Sequence, residues 1–98
     1  MIEYEPFETA TELFKALASP IRLRILHALS QQPLCVHDLT ERLGLRQPLV
    51  SQHLRILRSA RLLGGQRNGK EILYSLRDDH VSEIIQDALT HSREEKSR

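Results

Sequence analysis

The sequence predicts a mainly α-helical fold with one small β-hairpin. Apolar residues recur at helical spacing in five segments of the 98-residue chain. The third and fourth segments are separated by a three-residue turn that contains Gly44, which is typical of a helix-turn-helix. Two runs of strand-forming residues then flank Asn68-Gly69, which predicts a hairpin. A helix-turn-helix followed directly by a hairpin with a basic tip is a winged helix, and we predict this fold class.

The composition predicts one small intracellular domain. With two Phe, two Tyr and no Trp, the core must be aliphatic. The single cysteine excludes an internal disulfide and fits a reducing cytoplasm. No apolar run approaches a membrane span, and the acidic N-terminus lacks the features of a signal peptide. We therefore expect a cytoplasmic protein without a membrane partner or a small organic substrate. The absence of a nucleophile–base pair or phosphate loop indicates that it is not an enzyme.

Residues that begin or end helices divide the first half of the chain into helical segments. The first helix is predicted from Glu8 to Leu17, and Ser19-Pro20 begins the second as N-cap and first helical residue. The predicted helix-turn-helix covers residues 36–60, with its first helix over 36–43 and its second from Gln47 to about Ala60. Four residues are placed on the apolar face of the first helix: Ala10, Leu13, Phe14 and Leu17.

The second half is predicted to contain the wing and a last helix. The wing covers about residues 62–76, and Asn68-Gly69 is the preferred pair for a type I′ turn because both central residues need positive φ. In the second strand, Ile72, Tyr74 and Leu76 alternate with Glu71, Leu73 and Ser75, so one face should pack inward. A C-terminal helix follows over about residues 79–94.

Charge is concentrated where DNA contact is expected. Residues 46–77 carry seven basic side chains against Glu71 alone, a net charge of +6 in a chain whose total is +1. Such a segment is typical of a polyanion binder. Gln and Arg on the exposed face of the fourth helix can read adenine and guanine, while the wing cations contact phosphate. The predicted DNA-binding residues are Gln47, Ser51, Gln52, Arg55, Arg67 and Lys70. His53 is assigned to packing.

Potential metal ligands gather along one edge of the last helix. His80, Asp87, His91 and Glu94 form a narrow strip beside its apolar face. His80 and His91 are three turns apart, which separates their Cα atoms by about 16 Å. Two imidazoles on a single helix cannot reach one ion across that distance. The strip is therefore either a solvated edge or a ligand set completed by a second chain.

Four motifs resemble the ArsR/SmtB family of bacterial metal-responsive winged-helix repressors. They are A-L-A-S-P-I-R-L-R-I-L (16–26), C-V-H-D-L (35–39), Q-P-L-V-S-Q-H-L-R-I-L (47–57) and Y-S-L (74–76). The resemblance covers nearly the whole chain. It implies a homodimer, joined through terminal helices, that occupies palindromic operator DNA without metal and releases it when metal binds.

The resemblance also implies a ligand set. The family's zinc-type site reads Asp-x-His, ten residues, His, two residues, then Glu or His, and Asp78, His80, His91 and Glu94 match it. Two protomers would then share two sites, each suited to Zn²⁺ with Co²⁺ as the second choice. The family further implies a hydrogen bond from His91 to the backbone carbonyl of Arg61. Asp78 could instead cap the last helix, or do both.

Other readings remain open from the sequence. The family's thiolate sensors carry Cys-x-Cys where this chain has Cys35-x-His37, so this pair is at most an auxiliary metal or thiol site. Nickel or cobalt sensing would normally need more ligands than the chain offers, and a Cys35 thiol switch lacks a partner within it. A structural zinc that only stabilises the dimer is a further alternative.

Overall fold

A computed structural model describes the chain from residue 4 to residue 97, with side chains described for residues 6–95. Five helices and one hairpin are present in this part of the chain. In order they are α1 (Tyr4–Leu17), α2 (Pro20–Leu29), α3 (Val36–Leu43), α4 (Gln47–Ser59), β1 (Leu63–Asn68), β2 (Glu71–Leu76) and α5 (Asp79–Ser97). None of these helices is long and apolar enough to cross a membrane.

The α1 helix differs from the prediction in its start and in its buried face. It begins at Tyr4 rather than at Glu8. Leu17 is buried as expected, but the side chain of Phe14 is 57% exposed and that of Phe7 is 76% exposed. Placing Phe14 on the apolar face was therefore wrong for the single chain, because Leu13, Ala16 and Leu17 form the face that packs on the core and Phe14 lies outside it. The N-cap of α2 is as predicted, with Ser19 Oγ accepting from the Arg22 backbone N–H at 3.2 Å.

The helix-turn-helix follows the sequence closely. Gly44 ends α3 in the left-handed conformation, with φ of 66°, and its N–H donates to the Thr40 carbonyl at 3.0 Å. A residue with a Cβ is strained in this conformation, which explains the glycine. Val50, Leu54 and Leu57 of α4 are buried as predicted. Their burial fixes which face of α4 remains exposed.

The end of α4 carries a feature that the sequence did not reveal. Arg61 has a φ of 64°, the left-handed conformation usually taken by glycine. Its N–H donates to the Arg58 carbonyl at 2.9 Å, and the Leu62 N–H donates to the Leu57 carbonyl at 3.0 Å. This is the Schellman pattern, and the buried side chains of Leu57 and Leu62 complete it. The motif fixes the direction in which the chain enters the wing.

The hairpin is antiparallel but turns one residue later than predicted. Asn68 pairs with Glu71, so the two turn residues are Gly69 and Lys70. Gly69 has a φ of 69°, whereas neither neighbour has positive φ. A positive φ at the first central position alone corresponds to a type II′ turn, which requires one glycine instead of two left-handed residues. Residues 72–76 are all half-buried, so β2 is partly covered on both faces.

The core lies where α2, α3, α4 and α5 meet the base of the wing. Leu34 in the α2–α3 loop pairs with Tyr74 of β2 through hydrogen bonds of 3.1 and 2.9 Å. Val81 and Ile85 attach α5 to this core. The fully buried members are Ile25, Leu26, Leu39, Leu54, Leu57, Leu63 and Val50. This aliphatic core holds α4, the wing and the start of α5 in a fixed relation.

Candidate DNA interface and metal ligands

The polar face of α4 is open to solvent. Gln47 opens the helix, and Gln52 and Arg55 are exposed while Ser51 is half-buried. Because the apolar face is held in the core, these four side chains are presented together. Gln and Arg can form paired hydrogen bonds with adenine and guanine edges in a major groove. The arrangement therefore has the chemistry of a sequence-reading helix.

The wing presents the two predicted cations at its tip. Lys70 lies in the turn itself, and Arg67 pairs across the ladder with Ile72 while its Nη1 donates to the Gly69 carbonyl at 3.4 Å. Both cations are exposed. A Cβ added at Gly65 would lie 2.9 Å from Ile72 Cγ2 and 3.5 Å from Arg58 Nη1. The absence of a side chain at Gly65 thus lets Ile72 of β2 and Arg58 of α4 pack against β1 at this position.

Asp78 and His80 lie together at the start of α5. The Asp78 carboxylate accepts from the His80 backbone N–H at 2.9 Å through Oδ1, so it caps the helix as the sequence allowed. The same oxygen is 3.5 Å from His80 Nδ1. The Asp78 side chain is 53% exposed and that of His80 is 84% exposed. The described contacts involve Asp78 Oδ1 and His80 Nδ1. Asp78 Oδ2 and His80 Nε2 therefore remain available as ligand atoms for a cation.

The other two predicted ligands lie farther along α5. His91 and Glu94 are both exposed and are one helical turn apart, so their side chains share a face. Within the part of the chain that the structure describes, no three Asp, Glu, His or Cys side chains converge on a common point. One chain therefore supplies two separated pairs of potential metal ligands. His91 and Arg61 are not joined by a hydrogen bond in this single chain.

Cys35 and His37 lie in different environments. Cys35 is buried at the N-cap of α3, and its thiol donates to Asp38 Oδ2 at 3.3 Å. A backbone hydrogen bond at Asp38 favours the thiolate, but burial, the thiol–carboxylate hydrogen bond and the nearby charges of Asp38 and Glu71 together raise the pKa of Cys35. His37 is exposed and pairs with Glu41 at 3.4 Å. The structure does not bring these two side chains into a ligand pair.

Comparisons with known proteins show the family of this chain. Residues 19–63 match the family described as "Bacterial regulatory protein, arsR family". The transcriptional repressor SmtB of Mycobacterium tuberculosis is 45% identical over 91 residues, which are 93% of this chain and 67% of that protein. The chain belongs to the arsR family. It is a DNA-binding transcriptional regulator and not an enzyme.

Two further proteins, one known by its sequence and one by its crystal structure, are similar to this chain. A cadmium resistance regulatory protein, a CadC homologue of Staphylococcus aureus, is 33% identical over 96% of this chain and 78% of its own length. The crystal structure of NolR from Sinorhizobium fredii superposes with a TM-score of 0.80 at 36% identity, covering 91% of this chain and 88% of that one. The hairpin that follows α4, together with this structural likeness, confirms the winged helix-turn-helix prediction.

One residue that contacts the predicted reading helix was missed by sequence reasoning. Arg22 lies in the apolar pattern of α2, but its Nη1 is 3.3 Å from Nδ1 of His53 on α4. His53 is half-buried, which agrees with the packing role assigned to it. Burial, followed by the charge of Arg22, lowers the pKa of His53. No local spacing links positions 22 and 53, so the contact could be found only in three dimensions.

Proposed function

We propose that the protein is a cytoplasmic, homodimeric repressor that binds palindromic operator DNA without metal and releases it when Zn²⁺ binds. The observation that carries the proposal is the exposed Asp78–His80 pair, whose Oδ1 and Nδ1 atoms are 3.5 Å apart at the start of α5. His91 and Glu94 form a second exposed pair on the same helix. Two nitrogens and two oxygens suit tetrahedral Zn²⁺, and also Co²⁺.

The proposed site requires two chains. Three helical turns separate His80 from His91, so their Cα atoms are about 16 Å apart and one chain cannot complete the set. In an antiparallel pair of α5 helices, the first pair of one protomer meets the second pair of its partner, which gives two equal sites. Bound Zn²⁺ supplies a rigid tetrahedral link between the two helices.

The surface of α1 supports association of two copies. Phe7 and Phe14 are 76% and 57% exposed in the single chain. The two residues are seven positions apart, so they lie on one face of α1, and apolar side chains that form a contiguous exposed patch can mark a contact surface. A homodimer would cover them and would place two α4 helices for neighbouring half-sites, about one turn of DNA apart. The observed surface therefore fits a dimer joined through α1 and α5.

The proposed coupling joins α5 to the reading helix. Val81 and Ile85 of α5 pack in the same core as Leu54 and Leu57 of α4. Changing how two α5 helices meet would therefore shift the spacing of the two reading helices. A hydrogen bond from His91 to the Arg61 carbonyl, beside the left-handed turn, would add a second connection in the metal-bound dimer. Such a coupling is typically worth about 1–3 kcal/mol.

The test is an operator titration with Zn²⁺, Co²⁺, Ni²⁺ and Cd²⁺ on wild type and on His91→Ala. The variant should remain bound to operator at zinc concentrations that release the wild type. His37→Ala is the matched control, because it removes an exposed histidine that lies on α3 and should change nothing. Release of the His91→Ala protein at the wild-type zinc concentration would refute the assignment.

A subunit-mixing experiment tests the shared site directly. His80→Ala and His91→Ala homodimers each lack a complete ligand set. A mixed dimer has one site that lacks both histidines and one that is intact. If subunits assort at random, mixing equal amounts should restore about one quarter of the wild-type number of sites. Zinc binding that stays absent after mixing would exclude ligands from two chains.

A further inference from the structure

The guanidinium of Arg22 connects three helices. Its Nε donates to the Ala16 carbonyl at 2.6 Å, and its Nη2 donates to the Lys15 carbonyl at 3.4 Å. Its Nη1 lies 3.3 Å from Nδ1 of His53. Arg22 itself is in the first turn of α2. One half-buried side chain therefore contacts the last turn of α1 and the middle of α4.

The contact with α1 has a clear physical basis. The last carbonyls of a helix lack partners within that helix and must be satisfied by other donors. An arginine near a helix C-terminus provides these donors and interacts favourably with the helix dipole. Its donors are held in one rigid plane, so satisfying the carbonyls of Ala16 and Lys15 also fixes where Nη1 points. The Nη1–H group of Arg22 therefore points toward α4.

The contact with α4 requires a neutral histidine. Arginine only donates hydrogen bonds, so His53 Nδ1 must accept, which places the ring proton on Nε2. Burial and the charge of Arg22 lower the pKa of His53 and favour this form. Beside Arg22 in the groove between α1 and α4, Glu12 and Lys15 pair with each other at 3.3 Å. A protonated His53 would turn an N–H toward the guanidinium, and the hydrogen bond would be lost.

We propose that Arg22 and neutral His53 position α4 for operator binding by fastening it to the carboxyl end of α1. Because α1 carries the exposed Phe7 and Phe14, this contact relates the reading helix to the surface proposed to bind a second copy. The inference rests on operator binding and not on zinc sensing. All measurements are therefore made without metal, in the presence of a chelator, so that the two proposals can fail separately.

The first experiment compares operator affinity by fluorescence anisotropy at fixed salt and neutral pH. Arg22→Gln should lower operator affinity by about tenfold, which corresponds to about 1.4 kcal/mol. Arg22→Lys keeps the charge but lacks the planar fork, so it should also be weakened. Arg24→Gln is the matched control, since it removes one charge from the same helix while its guanidinium contacts only the Leu43 carbonyl among the described hydrogen bonds. Wild-type affinity in both Arg22 variants would overturn the proposal.

The second experiment uses pH and does not depend on how well the Arg22 variants fold. As pH falls below the ordinary histidine range, near 6.5, wild-type operator affinity should fall as His53 becomes protonated. His53→Asn places an uncharged oxygen near the position of Nδ1 and should keep its affinity. Protonation of exposed histidines adds positive charge and acts in the opposite direction, so a fall is diagnostic. Identical pH profiles for wild type and His53→Asn would overturn the proposal. Thermal unfolding and sedimentation establish that each variant is folded and equally associated.

Discussion

Two helix starts in this molecule carry the same pattern of a potential ligand, one intervening residue and a histidine. Cys35 and His37 begin α3, while Asp78 and His80 begin α5. In both cases the first residue is the N-cap and the histidine is the second helical residue. The two pairs therefore occupy the same positions relative to the start of their helices. The two pairs nevertheless differ in the burial and the partners of their first residue.

Burial and partners separate the two pairs. Cys35 is 5% exposed, and its thiol donates to Asp38. The net effect of its surroundings is to raise the pKa of Cys35, which disfavours the thiolate that a metal needs. The Asp78 carboxylate, in contrast, is exposed and lies 3.5 Å from His80 Nδ1. Equal spacing therefore does not make equal sites, because the surroundings determine protonation state and access.

The largest expected difference between the pairs is in zinc affinity. His80→Ala removes one of four proposed ligands and should weaken zinc binding by at least about 100-fold, since loss of even outer-shell partners costs 10- to 100-fold. His37→Ala and Cys35→Ser should bind zinc as the wild type does. Competition with a chromophoric chelator measures all three proteins under one condition. A Cys35→Ser protein with weakened zinc binding would show that the α3 pair participates.

The sequence predicted the fold better than the site. The positions of Ser19 and Gly44 determined helix ends correctly because each acts through its own backbone. The hairpin turn was misplaced by one residue, since the observed turn needs one positive φ, which Gly69 supplies, and not two. The burial of Cys35 and its link to Asp38 depend on tertiary packing, which local spacing does not encode. For the same reason, Arg22 could not be connected with His53 in advance.

The next expected difference is in how the free energy of unfolding changes at alkaline pH. The pKa of Cys35 is raised in the folded protein above its ordinary value of 9.0, so folding favours the protonated thiol. This contribution is fully present below the unfolded pKa and is lost as pH rises through the folded pKa. Between those values the free energy of unfolding should fall by up to about 1.4 kcal/mol per pH unit. Urea unfolding from pH 8 to 10 should show this fall in wild type, and Cys35→Ser should lack it. An equal fall in both proteins would contradict the assigned environment.

The smallest expected effect distinguishes the two roles of Asp78. Asp78→Ala removes the oxygen that accepts from the His80 N–H, so the free energy of unfolding should decrease by about 1 kcal/mol and zinc binding should weaken. Asn is also a good N-cap, so Asp78→Asn should keep nearly all of the stability while losing the ionised ligand. Urea unfolding without metal measures the cap, and chelator competition measures the ligand. If Asp78→Asn bound zinc like the wild type, Asp78 would be a cap alone. The α5 pair would then resemble the α3 pair in offering one histidine without a second ligand, and the proposed site would need a different fourth donor.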